Sequence, residues 1–259
     1  MNPWQSLKLR FRRVNSQQIV TRLVELAFSK LREHDYIEAQ RLLLRSLEYK
    51  SEIQNPALLE WILTSLSKTW EEAEEYQKWT EFFSDFIAQN PSQSVAYQLR
   101  AEARWYGGRL SEAVADYSLA LELNPKDAST LLGRGQVFLE CRDFSRALED
   151  LDAALGSIDS VSGANAVWKS EFEAFARNGR AAAYAGLGEF GRALEEFDKS
   201  IGLCPENAWV YYNRAEAYQD HGDRKNAIQN YKLSLTKKGP KLTALKRAHA
   251  ETVVNTLER

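Results

Sequence analysis

Few residues in this sequence are spaced for covalent chemistry. His34, His221 and His249 are scattered, no HExxH pair offers two zinc ligands one helical turn apart, and no GxSxG elbow presents a nucleophilic serine. Cys141 and Cys204 form no CxxC pair. Cys141 reads as either a buried thiol or a reactive one, with Arg142 its only basic neighbour in sequence. Gly186, Gly188 and Gly191 spell GxGxxG, but a dinucleotide-binding turn needs a strand before it, and here the preceding stretch Ala181-Ala182-Ala183-Tyr184-Ala185 is helical in character. The acids Glu71, Glu72, Glu74 and Glu75 read as a helix's first turns, where they complement the positive end of its dipole. The expectation is a protein with no catalytic residue, no cofactor site and no metal site: not an enzyme.

The elements behind these residues repeat. Ala113, Ala147, Ala193 and Ala227 each precede a large apolar residue by four positions, namely Tyr117, Leu151, Phe197 and Tyr231. Their gaps are 34, 46 and 34 residues. Ala101, Gly135, Ala181 and Ala215 follow the same gaps, as do the turn residues Gly108, Arg142, Gly188 and Gly222. A fixed period of this size marks a stacked array in which each unit leans on its neighbours to bury its apolar face. The middle gap is one such unit carrying 12 extra residues.

Between Ser94 and Asp127 stand Tyr97, Ala101, Ala113, Tyr117, Ala120 and Pro125, and from Ala208 onward stand Tyr211, Ala215, Tyr218, Ala227 and Tyr231. This pattern resembles the tetratricopeptide repeat, strongly over residues 92–238 and more weakly before them. The resemblance implies an all-α fold: a right-handed α-solenoid of about six antiparallel helix pairs plus a C-terminal capping helix.

In chain order, residues 1–15 read as a basic arm, in which Leu7, Leu9 and Phe11 alternate with Lys8, Arg10 and Arg12. The arm lacks the apolar core and cleavage site of a secretory signal; its acid-free, serine-bearing composition is faintly that of an organelle transit peptide. Residues 16–91 read as two degenerate hairpins. In the first, Ile19, Leu23, Leu26, Ala27 and Leu31 share a face, followed by Ile37, Leu43, Leu44 and Leu47, with Ala39 in the alanine place. In the second, Pro56 opens a helix with Leu59, Ile62, Leu63 and Leu66, and Phe82, Phe83, Phe86 and Ile87 follow. There Ser67 is the small residue and Trp79 fills the alanine place, a bulk that should push the helices apart. Residues 92–159 hold two repeats, and 174–238 two more. Between them, 160–173 extends the following helix by about two turns, with Trp168 and Phe172 on the extension as a lid, as a hook for a neighbouring molecule or as plain packing. Residues 239–259 form the cap, with Leu242, Leu245, Val253 and Leu257 as contacts.

Apolar content of 44% with 27% charged residues is ordinary for a soluble chain, and no run approaches a membrane-spanning length. Unpaired cysteines suit a reducing compartment, so a cytoplasmic location is expected. The net charge of −2 conceals +5 over residues 1–24, +7 over 224–259 and −14 between them. Basic ends permit nucleic-acid or anionic-surface binding; solvated helix faces are the commoner meaning.

Tetratricopeptide arrays generally hold a peptide or partner segment against the first helices of their units. Carried over position by position, the implied groove contains Gln98, Glu102 and Trp105, then Leu132 and Gln136, then Phe175 and Asn178, then Trp209, Tyr212, Asn213 and Glu216. Amides suit a peptide backbone, and the aromatic residues offer rigid surface. The acids favour an apolar or basic ligand. The family's two-carboxylate clamp for acidic C-termini is not matched: Gln98, Glu102, Gly133, Phe175 and Gly179 miss it entirely, and of Asn178, Ala182, Asn213, Thr243 and Arg247 only Asn213 and Arg247 fit.

Overall fold

The computed structural model describes residues 16–158, 166–239 and 242–257. The basic arm and the polar start of the insertion therefore lie outside the described residues. Thirteen α-helices and no strand occur among the residues described. The chain falls into two compact units, residues 1–109 and 110–259.

The first unit holds α1 (Ser16–Arg32), α2 (Tyr36–Leu47), a 3₁₀ turn (Lys50–Glu52), α3 (Pro56–Glu72), α4 (Tyr76–Gln89) and α5 (Ser94–Tyr106). The second holds α6 (Leu110–Leu123), α7 (Ala128–Glu140), α8 (Phe144–Ser157), α9 (Ala166–Gly186), α10 (Phe190–Leu203), α11 (Ala208–Asp220), α12 (Arg224–Thr236) and α13 (Ala244–Leu257).

The local cause of this punctuation is legible residue by residue. Asp35, Asn55, Asp127, Asp143, Asn207 and Asp223 each accept a hydrogen bond from a backbone N–H of the helix they precede. Such a cap is worth about 1 kcal/mol. Six inter-helix turns place one residue at positive φ: His34 (58°), Glu74 (54°), Gly108 (74°), Arg142 (59°), Gly188 (80°) and Gly222 (85°). After each, the next N–H reaches back five residues to a helix carbonyl, as in Asp35 to Lys30 (2.9 Å), Glu75 to Trp70 (2.9 Å) and Asp223 to Tyr218 (2.9 Å). These closures satisfy carbonyls that a helix end leaves free.

The shared turn fixes the register of the two degenerate hairpins. Five residues beyond it stand Ala39, Ala113, Ala147, Ala193 and Ala227, all fully buried, and Trp79 at 1% exposure. Nine residues beyond it Leu43, Phe83, Tyr117, Leu151, Phe197 and Tyr231 are likewise buried. Burial of each large side chain contributes about 1.5–3 kcal/mol, so this line is the main cohesive element of every hairpin. Trp79 does occupy the alanine place, and α3 and α4 meet over much less of their length than α1 and α2 do. Its indole Nε1 is buried without a hydrogen-bond partner among the described residues.

A second line holds successive hairpins together. Arg134 on α7 donates to both Asp150 oxygens on α8 (2.7 and 2.8 Å) and to Ser118 Oγ on α6 (3.1 Å). Arg180 on α9 pairs with Asp152 on α8 (3.1 Å) and stands 4.0 Å from Glu196 on α10. Arg214 on α11 donates to Asn230 on α12 (2.7 Å) and Asp198 on α10 (2.8 Å). In each case one guanidinium fork reaches forward to its own hairpin and back to the preceding one, a two-ended contact that arginine's planar donor set permits. Glu196 is partly desolvated, which raises its pKa, yet Lys199, Arg180 and Arg177 more than offset this and hold its carboxyl below the usual range.

Helix α9 is 21 residues long, whereas α7 and α11 have 13, so the insertion does lengthen a first helix by about two turns. It does not stand clear of its neighbours. Phe172 is buried in a cluster with Leu121, Ala128, Leu131, Ala154 and Ala176, and Trp168 stacks on it at 5.1 Å and packs against the same cluster. Of lid, hook and plain packing, these contacts are plain packing, because the apolar residues of α6–α8 give its aromatic face somewhere to go.

Three further expectations are corrected, and one alternative narrows. Ile37 is 84% exposed and Leu44 37%, while Leu42 and Ser46 take the inward places of α2. Glu71 and Glu72 end α3 rather than begin a helix, and Lys68 bonds both of them (3.1 Å each). In the cap, Leu242, Ala250 and Val254 make the buried contacts, Val253 is half-buried and Leu245 is 80% exposed. Cys141 lies exposed at the end of α7.

Candidate binding faces

In the second unit the first helices α7, α9 and α11 adjoin one another, α7 against α9 and α9 against α11. Gln136 on α7 lies against α9 at Gly179, where an added Cβ would stand only 2.8 Å from its Nε2. Asn213 on α11 donates from Nδ2 to Asn178 Oδ1 on α9 (3.2 Å). Leu132 is half-buried and packs into the α6–α9 cluster, and Phe175 and Trp209 are half-buried as well.

Two of the expected groove residues are in fact seam residues. Asn178 is 6% exposed and Tyr212 3% exposed. They occupy corresponding places on α9 and α11, one turn before the small residue, and there the next helix covers them. Over Tyr212 that helix is α13: the phenol oxygen is 2.8 Å from His249 Nδ1, and the ring meets Tyr231 edge-on at 5.6 Å. Burial pushes the Tyr212 hydroxyl well above the ordinary phenol range, and Glu216 beside it adds to the shift. Burial also raises the Glu216 carboxyl, opposed chiefly by the Lys246 charge. Lys246 places its ammonium 5.0 Å from the Trp209 ring centroid and 4.7 Å from that of Tyr212. The end of this face is thus an aromatic and carboxylate pocket already holding a cation from the same chain.

In the first unit, Gln98, Glu102 and Trp105 lie half-buried on α5. Gln98 donates to Glu102 at 3.0 Å, and Trp105 stacks on Tyr106 at 5.4 Å. Sequence reasoning missed another feature here, a cleft of about 450 Å³ lined by Leu31, Tyr36, Trp61, Thr64, Ser65 and Lys68. At its edge Phe28 is 51% exposed, its ring 6.3 Å from that of Trp61. Counted from the shared turn, Phe28 and Lys68 correspond to Glu102 and Glu216. That register was the signal that could have found it.

The residues with chemical potential are dispersed. His34 Nδ1 is 3.0 Å from Tyr36 Oη, and His221 stacks on Phe190 at 3.8 Å. Gly186 ends α9, Gly188 is the positive-φ turn and Gly191 lies in α10, so GxGxxG joins two helices. Among the described residues no three His, Cys, Asp or Glu side chains gather as a metal site, and no helix is long and apolar enough to cross a membrane.

Comparison with known proteins agrees with this architecture. Residues 94–127 and 210–236 match the family described as "Tetratricopeptide repeat", and residues 181–222 match "TPR repeat". No curated protein matches the chain in sequence. Among solved structures it is similar to a tetratricopeptide repeat protein from Parabacteroides merdae ATCC 43184, with 20% identity, TM-score 0.62 and 93% of each chain covered. It is also similar to the APC/C hetero-tetramer Cut9-Hcn1, with 14% identity and TM-score 0.73 over 93% of this chain but only 43% of that one. A third is PilW, a type IV pilus biogenesis factor, with 18% identity and TM-score 0.60, covering 77% of this chain and 90% of that one.

Proposed function

We propose that this tetratricopeptide repeat protein is a non-enzymatic scaffold that holds an apolar and basic segment of another protein along the first-helix face of its second unit. The similarity to Cut9-Hcn1 and to a pilus biogenesis factor supports a role in protein assembly at the level of fold. The observation that carries the ligand chemistry is Lys246, whose ammonium lies over Trp209 and Tyr212 near Glu216. Aromatic faces beside a carboxylate favour a cation, so this face is suited to basic side chains and unsuited to an acidic terminus. Gln136, Phe175 and Asn213 continue the face toward α7 and supply amides and an apolar surface for the rest of the segment. A cytoplasmic location is part of this reading.

The nucleic-acid alternative loses support from the same contacts. Lys237 bonds Glu206 (3.2 Å) and covers the Tyr211 ring (4.8 Å), and Lys246 is engaged as above, so two of the basic residues of the 224–259 end serve the fold.

Panning a random peptide library against the intact protein tests the proposal. Enrichment of apolar residues next to Lys or Arg is expected, with loss of the enriched peptides on Phe175→Ala and Gln136→Ala. Enrichment of acidic peptides, or binding indifferent to both substitutions, would overturn it.

A further inference from the structure

We propose that the surface of α11 and α12 beneath α13 is a docking site for a basic amphipathic helix of a partner protein, and that α13 is its resident internal occupant, displaced when that helix binds. The inference rests on the reading of Trp209, Tyr212 and Glu216 as the ligand's cation pocket, and it names the kind of segment that enters there.

α13 itself states what fits. The residues it turns inward recur at every fourth position: Leu242 just before the helix, then Lys246, Ala250 and Val254. Leu242, Ala250 and Val254 are buried in one cluster with Tyr212 and Tyr231, while the Lys246 ammonium lies over Trp209 (5.0 Å) and Tyr212 (4.7 Å) beside the Glu216 carboxylate. Residues four apart share one face of a helix, so this is a single stripe of three apolar anchors and one cation, the pattern by which a helix sits in a groove. An acid at the lysine place meets Glu216 and is disfavoured.

α13 is held as an occupant and not as a repeat helix. α9 and α11 are each packed between the preceding hairpin and a second helix of their own. α13 is packed on one side, and Thr243, Leu245, Ala248 and Thr252 are exposed on the other. Among its described residues only Ala250 and Val254 are buried, against six in α11. The chain ahead of α13 is fastened separately. Gly239 N donates to Glu206 O (3.0 Å), and the Glu206 carboxylate accepts from Lys237 Nζ (3.2 Å) and Lys238 N (3.3 Å). A Cβ at Gly239 would stand 2.4 Å from Glu206 O, so the close approach requires glycine. Lifting α13 therefore leaves this clasp and α12 in place.

The floor explains why the site stays covered until a like helix arrives. Without α13, the rings of Tyr212 and Tyr231, 5.6 Å apart and now buried, face water, and the half-buried Glu216 loses its cation. Both changes favour covering the surface again. His249 is exposed at the rim, and its bond to the Tyr212 hydroxyl exchanges for one to water or ligand at little net change. Lys246 and the apolar stripe thus set the competition. Because α13 and the partner exclude each other, the partner's apparent affinity is its intrinsic affinity scaled by the fraction of molecules with α13 lifted.

The test uses a fluorescent peptide of residues 242–257 as the stand-in for the partner helix. It is titrated against the full chain and against the full chain carrying Ala250→Glu and Val254→Glu, which stop its own α13 from docking. Binding about ten-fold tighter or more to the altered chain is expected, the factor by which an α13 docked about nine-tenths of the time weakens a competitor. Lys246→Glu in the peptide should weaken it about ten-fold or more. A second measurement needs no altered chain: isotopically heavy peptide added to the unmodified protein should quicken amide exchange across residues 244–257 and leave α7 to α10 unchanged. Equal binding to both chains, a Lys246→Glu peptide that binds as well as the parent, or α13 exchange that the peptide leaves unmoved would overturn the inference. So would a doubled mass of the unmodified chain with α13 still protected, which assigns the site to a second copy. Library peptides that need Phe175 yet bind no tighter to the altered chain would overturn this inference alone, whereas enrichment of acidic peptides would overturn the reading it rests on.

Discussion

Removing the guanidinium of Arg134 while leaving its partner in place gives a sharp test of how the hairpins are joined. Asp150 keeps only 7% of its side chain exposed, and both its oxygens accept from Arg134. In Arg134→Met the carboxylate stays buried with its charge uncompensated, a defect that costs about 3–5 kcal/mol. The bridge to Ser118 on α6 is lost at the same time. In Arg134→Met/Asp150→Leu the desolvation penalty disappears along with the pair, so the double variant should return to within about 1 kcal/mol of the parent. Urea unfolding measures the free energies, and amide exchange locates the damage, since stability in an array is a sum of local and nearest-neighbour contributions. Exchange should quicken in α6–α8 of the single variant and recover in the double. A single variant losing less than about 1 kcal/mol, the worth of a surface pair, would refute the view that this arginine line is a buried structural element. So would a double variant as weak as the single.

Other outcomes follow from the same contacts. Tyr212→Phe removes the hydroxyl bonded to His249 and should cost about 0.5–1.5 kcal/mol in thermal or urea unfolding, with peptide-library binding unchanged because the ring remains. Arg142→Gly relieves a positive-φ turn that three sister turns give to glycine; the relief of about 1 kcal/mol, less the entropy gained by the unfolded chain, should leave a net increase of a few tenths in stability. Gly222→Ala should show the opposite sign, a loss of about 1 kcal/mol. For Glu196 the folded pKa is depressed, so its stabilisation is present above the ordinary carboxylate pKa and is lost as pH falls through the folded value. Unfolding midpoints compared at neutral and acid pH should therefore converge between the parent and Glu196→Gln as pH falls, and a constant difference would refute the assignment.

Part of the site was legible in the sequence and part was not, for reasons that particular residues make plain. The arginine line was available: Arg100, Arg134, Arg180 and Arg214 keep the period of the turns, and Asp116, Asp150, Glu196 and Asn230 follow each by sixteen residues. Tyr212 was not available, because its burial depends on α13 crossing it, and α13 lies beyond Gly239 and Pro240, outside the repeat period. The place of Phe172 stayed open for a related reason. A lone aromatic on a helical extension looks exposed until the surface it meets, built from Leu121, Leu131 and Ala154, is known.

By itself the sequence determined everything that repeats at short range: the helix caps, the positive-φ turns, the small residue opposite a large one, and hence the hairpins and their order. These depend on contacts within about forty residues of chain, and each is written into residue types at fixed spacing. Only the tertiary structure decided which of those faces stayed open. Asn178 and Tyr212 are spent inside the seam, Lys246 fills its own aromatic pocket, and Phe28 is left bare beside a cleft, because exposure is a property of what packs on a face and not of the face's own pattern.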